Sequence, residues 1–384
     1  METLRIRSFV EPMTPSYEDL SREVFGVLGI PIDNIGLVES VQRLHTAVER
    51  GVPFLLSTPN VNFLISSQTD EAFRESLLSS DLCTVDGMPV VWLARLLGVP
   101  VKGRVSGADI FNDLKFGRST TQRRSIFLFG GADEAAANVG KTLNSDSMGL
   151  KCVGSFNPGF GSVEEMSQTA VMDRVNTAQA DILGVFLTAR KAQNWLLYNH
   201  NRLTATVRAQ FGATINFESG KVRRAPALLR RIGFEWLWRI KEEPHLWRRY
   251  GADGLSLLRI VVTRVLPLVL GRHWRHIVSS KASDLTITIE NDVNMIRVSL
   301  SGSATEAHVA KAITCFERLF DQGNPFVVDM AEVRAVDPRF FGFLLMVRKE
   351  LRKRNETLAF YRVSPALRRI FRLNGFDFLL QPNR

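Results

Sequence analysis

At 384 residues and 43.2 kDa the chain is long enough for two ordinary domains, and 45% hydrophobic and 23% charged residues with only 27 Gly and 15 Pro exclude a collagenous, low-complexity or wholly disordered protein. Cys83, Cys152 and Cys315 lie far apart with no C-x-x-C spacing, which excludes a disulfide framework and a zinc ribbon and fits a reducing cytoplasm. The net charge of +10 is concentrated: between Lys221 and Lys281 there are 14 Lys/Arg against four Asp/Glu, so this stretch is expected to meet an anionic surface such as phospholipid headgroups, a diphosphate or nucleic acid.

Residues 1–25 read as a polar tail without the apolar core of a signal peptide. From 26 to 222 a β/α rhythm follows, with strand-like runs at Phe54-Leu-Leu-Ser-Thr, Leu82-Cys-Thr-Val, Ser125-Ile-Phe-Leu-Phe, Lys151-Cys-Val-Gly, Asp181-Ile-Leu-Gly-Val-Phe and Ala205-Thr-Val-Arg-Ala. Helix-like stretches follow most of them, which predicts an α/β fold with a Rossmann-like, mainly parallel, doubly wound sheet. Ligands of such sheets bind beyond the carboxyl ends of the strands. The loops there read Thr58-Pro-Asn60, Asp86-Gly87, Gly130-Gly131 and Asn157-Pro-Gly-Phe160.

Residues 223–250 read as an Arg/Trp-rich helical appendage. Residues 251–282 are apolar but interrupted by Arg259, Arg264 and Pro267, too broken to span a bilayer, and suit either the membrane interface or a core or interdomain helix. The rhythm restarts after 282, and 283–384 predicts a second, smaller α/β domain of β-β-α-β-α-β-α order.

Several motifs are ambiguous from spacing alone. Gly140-Lys141-Thr142 lacks the first glycine of a P-loop, because Ala135 stands there, and it falls within a predicted helix. Gly130-Gly131 after an apolar strand suits either a diphosphate at a helix N-terminus or an ordinary turn. Asp86 at a strand end suits either a general base or a turn or cap residue; Thr58 and Asn60 suit either a pocket or local loop hydrogen bonds. No Asp-x-Asp pair offers a carboxylate cage for a metal diphosphate, and His273-x-x-His276 has no neighbouring cysteine or paired carboxylates, so no metal and no cofactor is expected. Recognised nucleic-acid readout modules are missing, so nucleic acid is not expected as the partner of the basic stretch.

Taken in order, Thr58-Pro-Asn60, Val85-Asp-Gly-Met-Pro-Val-Val-Trp92, Arg104-Val-Ser-Gly-Ala-Asp109, Phe127-Leu-Phe-Gly-Gly131, Asn157-Pro-Gly-Phe160, Gly220-Lys-Val-Arg-Arg-Ala-Pro226 and Gly233-Phe-Glu-Trp-Leu-Trp-Arg239, with Glu243-Pro244 and Arg248-Arg-Tyr250, resemble the WecG/TagA/CpsF family of bacterial glycosyltransferases from about Val27 to Tyr250. The resemblance implies inverting, metal-independent transfer of a hexose, N-acetylhexosamine or uronate from a UDP-sugar to a polyprenyl-diphosphate-linked saccharide, in exopolysaccharide or cell-surface polysaccharide synthesis at the cytoplasmic membrane face. It implies Asp86 as the catalytic base. Thr58, Asn60, Arg104, Gly130, Gly131, Asn157, Gly159, Gln193 and Asn216 fall to the donor pocket, and Arg224, Arg239, Arg248 and Arg249 to the lipid diphosphate and the anionic membrane. Two departures stand out: Phe186-Leu-Thr-Ala-Arg-Lys-Ala-Gln-Asn-Trp195 has Arg190 where the family has Pro and Ala192-Gln193 where it has Gln-Glu, and Asn216 replaces a family Asp. Either a shifted donor preference or an inactive member serving as a membrane-associated assembly factor would follow.

From Asp284 to Leu380 the chain resembles a STAS domain, with Pro338 and Arg339 of Val336-Asp-Pro-Arg-Phe-Phe-Gly342 at the position of the switch serine. With no hydroxyl to phosphorylate, a constitutive module for docking a protein partner or for self-association is expected rather than a phospho-switch.

Overall fold

The computed structural model describes residues 17–117, 122–131, 134–271, 283–291 and 295–381. Its first elements are a short helix α1 (Glu18–Ser21) and an antiparallel hairpin of β1 (Val24–Val27) and β2 (Ile30–Asp33), turned by Leu28 and Gly29 at positive φ. Residues 17–25, expected in a polar tail, are therefore packed: Leu20 and Val24 are fully buried, and the charges of Asp19 and Arg22 are buried against each other. The charge pattern that suggested solvent exposure marks a paired interior instead.

The larger domain continues with α2 (Leu37–Arg50), β3 (Phe54–Ser57), α3 (Val61–Thr69), α4 (Glu71–Leu78), β4 (Leu82–Cys83), α5 (Met88–Leu96), α6 (Gly107–Phe116), β5 (Arg124–Gly130), α7 (Ala135–Asp146), β6 (Leu150–Phe156), α8 (Thr169–Thr177), β7 (Ile182–Phe186), α9 (Ala189–Tyr198), β8 (Val207–Gln210) and α10 (Thr214–Glu218). Strands β3 to β8 form one all-parallel sheet in the order β4-β3-β8-β7-β5-β6. β7 and β8 are buried along their whole length, as strands covered by helices on both faces must be. Gly140 of the apparent P-loop remnant lies inside α7, where a Cβ would press on the Cys152 sulfur at 2.8 Å; its glycine serves helix–sheet packing.

The appendage comprises α11 (Ala227–Arg231), α12 (Glu235–Glu242) and α13 (Trp247–Ile260), which continues through a π turn at Val261–Val265 and stays helical to residue 271. One helix thus crosses the expected break at 250. Pro244–Gly271 is long and apolar enough to cross a membrane by length and composition alone. One side of it lies on the α/β domain: Asn62 donates to Asp253, Arg264 donates to Gln68 at 2.5 Å, and Val265 is fully buried. Its other side leaves Leu255, Leu258, Val262, Leu266 and Leu270 exposed at the three- and four-residue spacing of one helix face. His273 and His276 lie outside the described residues.

The smaller domain runs β9 (Thr286–Asn291), β10 (Ile296–Ala304), α14 (Glu306–Gln322), β11 (Phe326–Val336), α15 (Pro338–Lys353), β12 (Ala359–Tyr361) and α16 (Pro365–Leu373), with sheet order β12-β11-β10-β9 and only the β9–β10 pair antiparallel. Asp337 caps α15 by accepting from the Phe340 N–H at 2.8 Å, and Pro338 occupies the first helical turn. The two domains share one apolar core, in which Leu20, Val24 and Leu78 pack with Phe340, Phe341 and Leu344.

Candidate active site

The carboxyl ends of β3 and β4 are laced together by main-chain hydrogen bonds: Thr84 N–H to Ser57 O, Asp86 N–H to Pro59 O and Val105 N–H to Val85 O. This lacing holds the Thr58-Pro-Asn60 loop, Asp86 and the Arg104 loop beside one another. Asn60 caps α3, accepting from Phe63 N–H at 3.2 Å, and Thr58 is buried next to Gly107, where a Cβ would sit 3.5 Å from its hydroxyl. Gly87, at φ 90°, turns the chain from Asp86 into α5 in a conformation that side-chain-bearing residues rarely adopt.

Arg104 is the hub. Its guanidinium lies 3.6 Å from Asp86, 2.9 Å from Asp109 and 3.2 Å from Glu235. Asp109 belongs to a capping box at the start of α6 with Ser106, and also holds Arg224 at 2.5 Å and Arg230 at 3.7 Å. Burial alone would raise the Asp109 carboxyl; Arg104, the Ser106 hydroxyl and Arg224 together hold it below the usual carboxylate range. The opposite balance holds at Asp86, which loss of water pushes up to about 7 against the pull of Arg104, with the Glu235 and Asp109 carboxylates adding repulsion. Its side chain keeps 28% of its surface exposed, enough to meet a reactant.

Against Arg104, the ion-pair partner of Asp86, opens a cavity of about 400 Å³ lined by Met88, Arg104, Ala227, Arg230 and Arg231. One wall comes from the α/β domain and the other from the appendage. Gly233, at φ 79°, fixes that second wall: a Cβ there would come within 2.7 Å of Trp92 and 2.9 Å of Met88, so only glycine lets the turn between α11 and α12 rest on α5.

The structure brings Asp86, Thr58, Asn60, Arg104 and Arg224 to this end of the sheet. Other expected pocket residues lie elsewhere. Gly130 ends β5, next to the far edge strand β6, and Gly131 follows it, but the Gly131 N–H already donates to Phe186 O at 3.1 Å and is not free for a diphosphate; Asp133 lies outside the described residues. Asn157 and Gly159 follow β6 at the opposite edge from β4, five strand spacings or roughly 24 Å away, and there form a local turn in which Asn157 accepts from the Gly159 N–H. Gln193 is fully buried under β3, accepting from the Ser57 hydroxyl, so it does not line the open cavity. Arg190 pairs with Asp70 at the start of α4, giving the departure at that loop a structural partner. Asn216 is half-buried in α10. Arg239 pairs with Glu243 and stacks on Phe217, away from the Arg104 cluster, while Arg248 and Arg249 are exposed over Trp247 and Tyr250.

Sequence reasoning passed over Asp109, Arg230, Arg231 and Glu235. Ser106-x-x-Asp109 is a capping-box spacing visible in the sequence and would have put Asp109 at a helix start. Nothing in the sequence pairs Glu235 with Arg104, 131 residues earlier.

Residues 25–268 match the Glycosyl transferase WecG/TagA/CpsF family, and residues 287–381 match the Mlab, STAS domain. Among curated proteins, the N-acetylglucosaminyldiphosphoundecaprenol N-acetyl-beta-D-mannosaminyltransferase of Bacillus spizizenii is 25% identical over 228 residues, 57% of this chain and 85% of that protein. The proteins of the same name from Bacillus subtilis (26% over 222 residues, 57% and 84%) and Staphylococcus aureus (23% over 228 residues, 59% and 86%) are similarly related.

Proposed function

The chain belongs to the WecG/TagA/CpsF glycosyltransferase family, and on that footing we propose that it moves a hexose, N-acetylhexosamine or uronate from a UDP-sugar onto a polyprenyl-diphosphate-linked saccharide, with inversion and without a metal ion. The observation that carries this reading is Asp86: a carboxyl pushed up to about 7 whose partner Arg104 lines a cavity walled by arginines. A base with a pKa near the working pH combines a useful ionised fraction with real affinity for a proton. Asp86 takes the proton of the acceptor hydroxyl, whose oxygen bonds to the anomeric carbon as the bond from that carbon to the UDP oxygen breaks. The electron pair leaves with UDP. Charge growing on the diphosphate meets Arg104, Arg224 and Arg230, whose planar forks suit phosphate oxygens.

A lipid-linked acceptor needs the enzyme at a membrane. Support comes from the exposed stripe of α13 and from Leu228, Ile232, Phe234, Trp236, Leu237 and Trp247 of the appendage, with Arg248 and Arg249 beside them. Because one side of α13 is fastened to the α/β domain, the helix suits lying in the interface of an anionic, cytoplasmic-facing leaflet rather than crossing it.

The test is UDP release and product formation with a panel of UDP-sugars and a short-chain polyprenyl-diphosphate N-acetylglucosamine, comparing the intact protein with Asp86→Asn. Turnover lost in the variant supports the reading. No turnover with any donor, despite acceptor binding, overturns it in favour of a non-catalytic assembly factor.

A further inference from the structure

The STAS domain meets the transferase domain through the start and one side of α15. Arg339 donates to Val24 O at 3.0 Å and Arg22 O at 3.2 Å, and Gly342 lies so close to the Val24 carbonyl that any Cβ would collide with it. A Cβ on Gly26 would meet Phe341 and Phe376 at 2.7 Å, and one on Gly29 would meet Gly375 O at 2.8 Å. The hairpin is thus pressed backbone-close onto α15 and the end of α16. Further along α15, Arg348 and Arg352 grip Glu75, Lys353 reaches Asp19 at 2.9 Å, and Lys349 bonds Asp19 at 3.0 Å, Ser80 O at 3.2 Å and Asp81 at 2.6 Å.

These contacts converge on β4. Ser80 and Asp81 lead directly into it, and Asp33 of the hairpin accepts from the Cys83 N–H at 2.7 Å while Arg22 holds Asp33. Among the described residues β4 is a two-residue strand at the sheet edge, paired with β3, and Thr84 and Val85 carry the chain on to Asp86. The Thr84 and Asp86 N–H bonds to Ser57 O and Pro59 O fix one side of this stretch, and on the other side Asp33 takes the Cys83 N–H, so the hairpin and α15 brace the side that the sheet leaves open.

We propose that the STAS domain is a positioning device acting within its own chain: the start and one side of α15, where Pro338 and Arg339 hold the place of the switch serine, are occupied by the transferase, and through Lys349, Asp33 and the hairpin the domain holds the strand that delivers Asp86. The bracing itself stands independently of the proposed chemistry; only its effect on Asp86 rests on that reading.

A protease site placed between residues 272 and 282 of the full chain, cleaved after purification, tests it. The two pieces are expected to co-elute on gel filtration, and in an Arg348→Glu/Lys349→Glu double variant to separate. Thiol labelling followed residue by residue reads β4 directly, because Cys83 is fully buried with its thiol pushed up to about 12, whereas Cys152 and Cys315 are half-buried and serve as internal references. Labelling of Cys83 alone is expected to rise at least tenfold, roughly, in the double variant, as local opening of the edge strand requires. Pairing Glu75→Lys with Arg348→Glu is expected to restore protection that Arg348→Glu alone loses, which a general folding defect would not do. Separation of the unmodified pieces, or unchanged Cys83 labelling once they separate, overturns the proposal. Neither readout uses turnover, so a failure of the proposed transferase activity remains distinguishable.

Discussion

Asp19 and Asp86 are both surrounded by cationic side chains, and they end in opposite states. Asp19 accepts from Arg22, Lys349 and Lys353, and although burial works against its charge, Lys349, Arg22 and Lys353 hold its carboxyl well below the usual range. Asp86 shares a single guanidinium, Arg104, with two other carboxylates, and its carboxyl is pushed up to about 7. Three cations touch Asp19 at 3.0 Å or less, whereas Arg104 stands 3.6 Å from Asp86, so loss of water is overcome at the first place and prevails at the second. Full pairing produces architecture, and deficient pairing leaves a carboxylate with affinity for a proton.

The sharpest way to break this contrast is Asp86→Asn, which removes the proton acceptor and is expected to lower kcat by about 10²–10⁴-fold, measured as UDP release. Because a raised carboxyl binds its proton more tightly in the folded state, its ionisation costs stability as pH rises from about 4 to about 7; the same variant is expected to melt roughly 2–4 °C higher at pH 8. Next in size, Lys349→Met leaves Asp19 and Asp81 short of a cation in the interface, an expected loss of about 3–5 kcal/mol in denaturant unfolding. The depressed Asp19 carboxyl supplies stability that is complete above its unfolded value and is lost as pH falls, so the domain interface is expected to hold through pH 5–8 and to loosen only below about pH 4, followed by gel filtration of the cleaved chain.

Glu235→Gln acts more gently. It removes a repulsive neighbour of Asp86, so the acid limb of kcat/KM, which in the unaltered enzyme falls about tenfold per pH unit below about 7, is expected to move to lower pH. An unmoved limb would mean that Asp86 does not set it. Leu258→Glu with Leu266→Glu is expected to reduce co-sedimentation with anionic vesicles several-fold while leaving the melting temperature unchanged, since both side chains are exposed. The smallest effect belongs to Arg239→Lys: its guanidinium is engaged by Glu243 and Phe217 rather than by the Arg104 cluster, so less than about a threefold change in kcat/KM is expected.

The parallel sheet was legible because its strands are short apolar runs separated by helical periodicity; Asp86 stood out just past a strand and Arg104 within a recognisable motif, which the structure sets in the loop between two helices, α5 and α6. The hairpin was not. β1 and β2 are buried at every position, so they lack the alternation that announces a half-exposed strand, and while one side packs on Phe63, Phe73 and Leu77, what covers the other lies more than 300 residues away. Distance along the chain also hid Glu235. Asn157 and Gly159 show the converse failure: a loop in the right structural class, at the carboxyl end of a strand, sits at the wrong edge because strand order is a property of the sheet and not of the string.

The separation between Val24 and Arg339 has a consequence for synthesis on the ribosome. Val24 is translated 315 residues before the Arg339 that donates to its carbonyl, and Phe341 and Gly342 follow directly after Arg339, a wait of about 15–60 s at ordinary elongation rates. Until then the side of the hairpin that α15 covers is open to chaperones and proteases. A message truncated anywhere before α15 therefore yields a protein that advertises its own incompleteness.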